Sequence, residues 1–119
     1  MWQGTILLGS RGIDFATDPP ELGTINDISA NVVAYSASHK VEASVFTGAR
    51  LTRRTAPTES TAKTCADLVA THGTKDATLD RQDKFCLQTA PQGRIVIMTF
   101  LNQQADAWVI NATVWRGPN

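Results

Sequence analysis

Two cysteines frame the middle of this chain. Cys65 lies on a run with helical spacing and Cys86 on an apolar run with strand character. A bond between them would staple the one clear helix to the sheet, and no other feature constrains the fold as much. Closing a loop between positions 21 apart stabilises a fold by roughly 3 kcal/mol in the chain-entropy model. Such a bond also points to an oxidising compartment outside the cytoplasm. The competing reading, two buried free thiols in a cytosolic protein, stays open at the level of sequence. There is no C-x-x-C pair, so a redox-active role is not expected.

The helix is expected over about residues 61–72. Ser60 or Thr61 can cap it, and Cys65, Leu68, Val69 and His72 follow at helical spacing. Gly73 stands where a left-handed residue closes a helix. Strand patterns fill most of the remainder. Thr5–Leu8 comes first; Ile28–Ser36 and Val41–Phe46 then alternate around a Ser38-His39-Lys40 hairpin tip. Phe85–Thr89, Arg94–Leu101 and Trp108–Trp115 are joined by the short turns Ala90–Gly93 and Asn102–Asp106, which predicts an antiparallel meander. Three stretches read as loops: Gly9–Gly23 with Ile13 and Phe15 tucked inward, Leu51–Glu59, and Asp76–Lys84 around Leu79. The expected fold is α+β, with about six strands in a mostly antiparallel sheet or small barrel and the helix packed on a sheet face or across the barrel's end.

A length of 119 residues predicts one domain over 1–119. With 42% apolar and 18% charged residues the chain is globular and not disordered. Eleven basic residues balance eleven acidic ones. Neutralising phosphates needs a basic excess, so no nucleic-acid partner is expected. No run approaches the ~18 apolar residues of a spanning helix, so no membrane insertion is expected within the chain. Strand pattern begins almost at Met1-Trp2-Gln3, without a signal peptide. That abruptness raises the expectation that the domain is cut from a longer protein.

A series of short motifs runs along the chain. Gly4-Thr5-Ile6-Leu7-Leu8, then Gly12-Ile13-Asp14-Phe15 and Pro19-Pro20, open it. Thr61-Ala62-Lys63-Thr64-Cys65-Ala66-Asp67-Leu68 with His72 comes next, then Phe85-Cys86-Leu87-Gln88-Thr89 with Gly93-Arg94-Ile95, and Thr113-Val114-Trp115 closes it. In this order they resemble a small, disulfide-containing, β-rich accessory domain of actinobacterial modular proteins, the C-terminal, extracytoplasmic part of serine/threonine kinases or regulators. The resemblance implies a non-catalytic module of undefined ligand, and it carries over no catalytic residues. Residues 31–59 match least.

Each candidate chemistry has a plainer counterpart. His39, His72, Cys65 and Cys86 are the soft ligands, without metal-site spacing, so neither a metal nor another cofactor is expected. His72 instead suits the negative end of the helix dipole. Ser38 and His39 are neighbours on an extended chain and point apart, which is no catalytic pair. Asp14 with Asp18, and Asp76, Asp80 and Asp83, provide carboxylates, but the latter run is interleaved with Lys75, Arg81 and Lys84 as in a solvated loop. There is no phosphate-cradling glycine loop. Arg50, Arg53 and Arg54, with Lys40 as a neighbour, form a small basic cluster that could meet an anionic cell-wall polymer or headgroup; its plainer and favoured counterpart is a solvated loop with spread charge. Trp108 shares a face with Ile110, Ala112 and Val114 and reads as core. Trp115 shares one with Asn111 and Thr113 and is the candidate stacking residue, unless it and Trp2 close the core. Asn111-Ala112-Thr113 matches a glycosylation sequon but falls within a strand.

The expected function is therefore a non-catalytic, extracytoplasmic sensing or interaction module of a larger membrane-bound or secreted bacterial protein. Its partner would be a protein or a cell-envelope ligand, met through Arg50, Arg53, Arg54 and Trp115. A stand-alone secreted inhibitor or effector, acting through an exposed rigid loop at Gln82–Lys84 or Leu51–Pro57, is the alternative. A cryptic hydrolase ranks last.

Overall fold

A computed structural model describes residues 2–9, 12–15, 20–22, 32–35, 39–43, 48–53, 62–89, 93–104 and 107–115. Among them lie ten strands and one helix. In chain order these are β1 (Trp2–Leu8), β2 (Ile13–Asp14), β3 (Glu21–Leu22), β4 (Val32–Tyr35), β5 (Lys40–Ala43), β6 (Arg50–Arg53), α1 (Ala62–His72), β7 (Asp76–Thr78), β8 (Lys84–Gln88), β9 (Ile95–Gln104) and β10 (Ala107–Trp115). They form two five-stranded antiparallel sheets. The long sheet has the order β1-β10-β9-β8-β6, and the short sheet the order β3-β2-β4-β5-β7. The meander β8-β9-β10 is present, and β1 runs back along β10 in unbroken register from Trp2↔Val114 to Leu8↔Trp108.

Alternation along each strand sorts the side chains of the long sheet onto two faces. Phe85, Leu87, Val96, Met98, Phe100, Ile110, Ala112 and Val114 face the short sheet and pack with Ile13, Phe15, Val32, Ala34 and Val41 as one core. Phe100 anchors that core with edge-on contacts to Phe85 at 5.6 Å and to Trp108 at 5.9 Å between ring centroids. On the opposite face Cys86 and Ile95 join Cys65 and Val69 of α1 in a second, smaller cluster. The layers are therefore helix, long sheet, short sheet. One irregularity interrupts the long sheet. Val109 pairs with Asn102 and Ile110 with Phe100, which leaves Leu101 as the extra residue of a bulge in β9.

Several expectations need correction. There are two open sheets where one sheet or a small barrel was expected, and more strands than about six. The loop assigned to Gly9–Gly23 holds β2 and β3, that at Leu51–Glu59 begins inside β6, and that at Asp76–Lys84 begins with β7. Strands of two or three residues are too short to show a period of two, which is why they read as loops. β6 reads Arg-Leu-Thr-Arg, with one apolar residue, and gives no alternation signal. Gly73 closes the helix but not with a left-handed backbone. Among the described residues the glycines with positive φ are Gly12 and Gly48. Gly73 is needed because a Cβ there would strike the Val69 carbonyl oxygen and lie 3.2 Å from Arg50 Cβ. Ile28–Asn31, Ser36, Ser38, Ser44–Phe46, the capping Ser60 and Thr61, and Ala90–Gln92 lie outside the described residues.

Candidate functional site

Cys65 and Cys86 are bonded, with 5.3 Å between their Cα atoms, and both are fully buried. The bond pins α1 to the outer face of β8. A second tether holds the far end of the helix. Thr74 N donates to Leu51 O at 2.7 Å and Leu51 N donates to Thr74 O at 3.0 Å, so the segment leaving α1 is bound to the free edge of β6. With both ends tied, the helix covers the Cys86–Ile95 half of that face and leaves the other half open.

Strand pairing sets what the open half presents, because directly paired residues share a face. Thr5 pairs with Asn111, Asn111 with Thr99 and Thr99 with Lys84. The next row joins Gln3, Thr113 and Ile97 before it passes under the helix at Cys86. Gln3, Thr5, Asn111 and Lys84 are exposed, and Thr99 and Thr113 half-buried. From β1 to β8 is three strand spacings, about 14 Å. The result is a face of hydroxyls and amides with one charge, Lys84, and with Ile97 where it meets the helix. At one end it is bounded by the apolar Leu7, which pairs with Val109. At the other it meets Trp115, which is partly buried against the helix cluster.

The arginines do not form one patch. Leu51 between them is core, so on β6 Arg50 and Arg53 point to opposite faces. Arg50 is exposed on the helix side, in the row of Gln88, Ile95 and Trp115, with the helix between it and the tryptophan. Arg53 turns inward and is engaged. Its guanidinium lies 5.2 Å from the Phe85 ring centroid, pairs with Asp83 at 2.8 Å and donates to Thr78 O at 2.5 Å. Arg54 lies outside the described residues. Lys40 is occupied by Glu42 at 3.7 Å and Asp76 at 3.5 Å.

Asp83 also fixes the turn before β8. Its Oδ2 accepts from Asp80 N at 2.8 Å, Gln82 N donates to Phe100 O at 2.6 Å, and Gln82 holds a left-handed φ of 70°. His39 at the β4–β5 turn has φ 51° and meets Trp108 edge-on at 5.9 Å. Trp108 Nε1 is the one buried side-chain polar atom among the described residues without a partner. His72 Nδ1 lies 2.8 Å from the hydroxyl of neighbouring Thr71. Among the described residues no three His, Cys, Asp or Glu side chains converge as a metal site would require, and no helix is long and apolar enough to cross a membrane.

Compared with protein-family models, with curated proteins and with solved structures, the chain matches none.

The polar face of Gln3, Thr5, Thr99, Asn111 and Thr113 was not assembled from sequence. The polar positions of the last strand were visible in the alternation. What was missing was strand order, because the pairing of β1 with β10 brings together the two ends of the described chain.

Proposed function

We propose that this chain is a non-catalytic binding module that works outside the cytoplasm as part of a larger bacterial protein, and that it binds its ligand on the uncovered half of the long sheet's outer face. The carrying observation is the doubly tethered helix. It leaves beside itself a row of hydroxyl and amide side chains from Thr5 to Lys84, with Trp115 at the border. A nearly uncharged face of hydrogen-bonding groups with an adjacent indole suits an uncharged polyhydroxylated ligand, such as a cell-envelope glycan. The disulfide supports an oxidising location. The motif resemblance to actinobacterial accessory domains supports a parent protein of modular architecture. Chemical-shift mapping with soluble envelope polysaccharide fragments tests this. The expected shifts fall on Thr5, Thr99, Asn111 and Thr113 and vanish in Asn111→Ala. Absence of shifts there across the glycan panel would remove the assignment of the face.

One observation favours the alternative, a stand-alone secreted inhibitor. The turn Asp80–Asp83 is rigidly held by Asp83 and Arg53 and carries exposed Arg81 and Gln82. Protection of this turn, and not of the polar face, in a complex with a partner protein would move the assignment there.

A further inference from the structure

Among the described residues the two sheets end in four edge strands, and these are treated differently. β3 has two residues and β7 three. β6 carries two arginines, and Thr74 already occupies the backbone groups of Leu51 on its free side. Short length, charge and covering chain are the usual protections of an edge against pairing with another strand. Among the described residues β1 has none of them. It is seven residues long, contains no charged residue and no proline, runs without a bulge, and among the described residues pairs with β10 alone.

From this we infer that β1 is a self-association edge, on which a second copy of this chain adds antiparallel about Thr5 to give one continuous ten-stranded sheet. The strand is self-complementary in that register. Thr5 meets Thr5, Gln3 meets Leu7, Gly4 meets Ile6 and Trp2 meets Leu8, and no pair brings like charges together. Gly4 has a particular place in it. The Trp2 ring lies across Gly4, where a Cβ would come within 2.8 Å of Trp2 Cζ2. The incoming Ile6 would therefore meet an indole face and not a side chain at position 4. Leu7, 48% exposed in the single chain, is covered by the partner's Gln3. A formal net charge of zero leaves no long-range repulsion between copies. The two-fold axis stands perpendicular to the sheet, so the outer faces of both copies lie on the same side. This inference does not depend on the ligand proposed above.

A single added strand buries less area than a standard protein interface, so the association is of the weak, concentration-dependent class. Sedimentation equilibrium of the oxidised protein should show the weight-average mass rising toward the dimer with concentration. Thr5→Lys places two ammonium groups opposite each other and should weaken association at least about tenfold. Ala70→Lys, on the exposed side of α1, should leave it unchanged. Thr5→Cys should give a covalent dimer under mild oxidation, while Gln3→Cys, offset from the axis, should not. A monomer at every concentration together with no Thr5→Cys crosslink overturns the inference. So does a dimer indifferent to Thr5→Lys, which would place the interface elsewhere. Unchanged thermal melts of the variants separate these outcomes from misfolding.

Discussion

At the residue scale, Arg53 shows how a side chain that looks like a ligand-binding group from sequence becomes a structural one. It stands on the edge strand of the long sheet yet reaches the backbone of β7 in the short sheet and the turn before β8. It therefore fastens one side of the sandwich. The Arg53–Asp83 pair is partly exposed, 38% and 20% by side chain, so solvent screening limits the ionic part to well under 1 kcal/mol. The bond to the Thr78 carbonyl and the packing over Phe85 add to it. Arg53→Ala should cost about 1–2 kcal/mol in urea unfolding. Arg53→Lys should recover only part, because an ammonium cannot serve both oxygens with a planar fork. Arg50→Ala should stay within about 0.5 kcal/mol, since Arg50 is exposed and makes no ion pair among the described residues. Equal losses at the two arginines would contradict this division of roles. The two residues were grouped because they are close in sequence. Strand alternation separates them, and that could not be read while Arg-Leu-Thr-Arg passed for a loop.

At the scale of elements, the helix and its disulfide staple to the sheet were legible, and the two-sided burial of the strand it is stapled to was not. Spacing of Cys65, Leu68, Val69 and His72 marked α1, continuous apolar runs marked β8 and β9, and alternation marked β10. Periodicity, however, tells only that a face is buried. Phe85 and Leu87 face one core while Cys86 between them faces another, so β8 is buried on both sides. The helix cluster is small: Cys65, Val69, Cys86 and Ile95, with Trp115 and a few others at its margin. It has little apolar area of its own with which to hold the helix, which makes the covalent bond decisive there. Reduction, or the double change Cys65→Ala with Cys86→Ala, should lower stability by roughly 3 kcal/mol. The loss should also be uneven. Amide exchange in α1 should accelerate through local opening, while β9 and β10, bedded in the larger core, should exchange only by global unfolding. If reduction accelerated all these amides equally, the helix would be integral to the main core and the layered description would fail.

At the scale of the whole molecule, the sequence carried the class of the fold but not its division into two sheets. Local pattern cannot say which strands are neighbours, and the pairing that completes the long sheet is its least local one. β1 and β10 lie at opposite ends of the described chain, and Trp2 comes to rest against Val114. The loop-closure entropy of that contact must be overcome before any of its pairing energy is gained. The protein should therefore refold in milliseconds to seconds, as non-local β-sandwiches do, and not in microseconds. Trp2, Trp108 and Trp115 all belong to this strand pair, so tryptophan fluorescence reports on the slow step itself. The same register offers a way to alter the rate. Because Trp2 faces Val114 in an antiparallel ladder, a short linker from the end of β10 to the start of β1 would turn the pair into a local hairpin. A circular permutant linked there, with new ends between β6 and α1, should refold at least about tenfold faster at similar stability. Stopped-flow fluorescence of the two chains makes the comparison. Equal rates would mean that the late step is not the joining of β1 to β10, and the assembly of the short sheet against the long one would take its place.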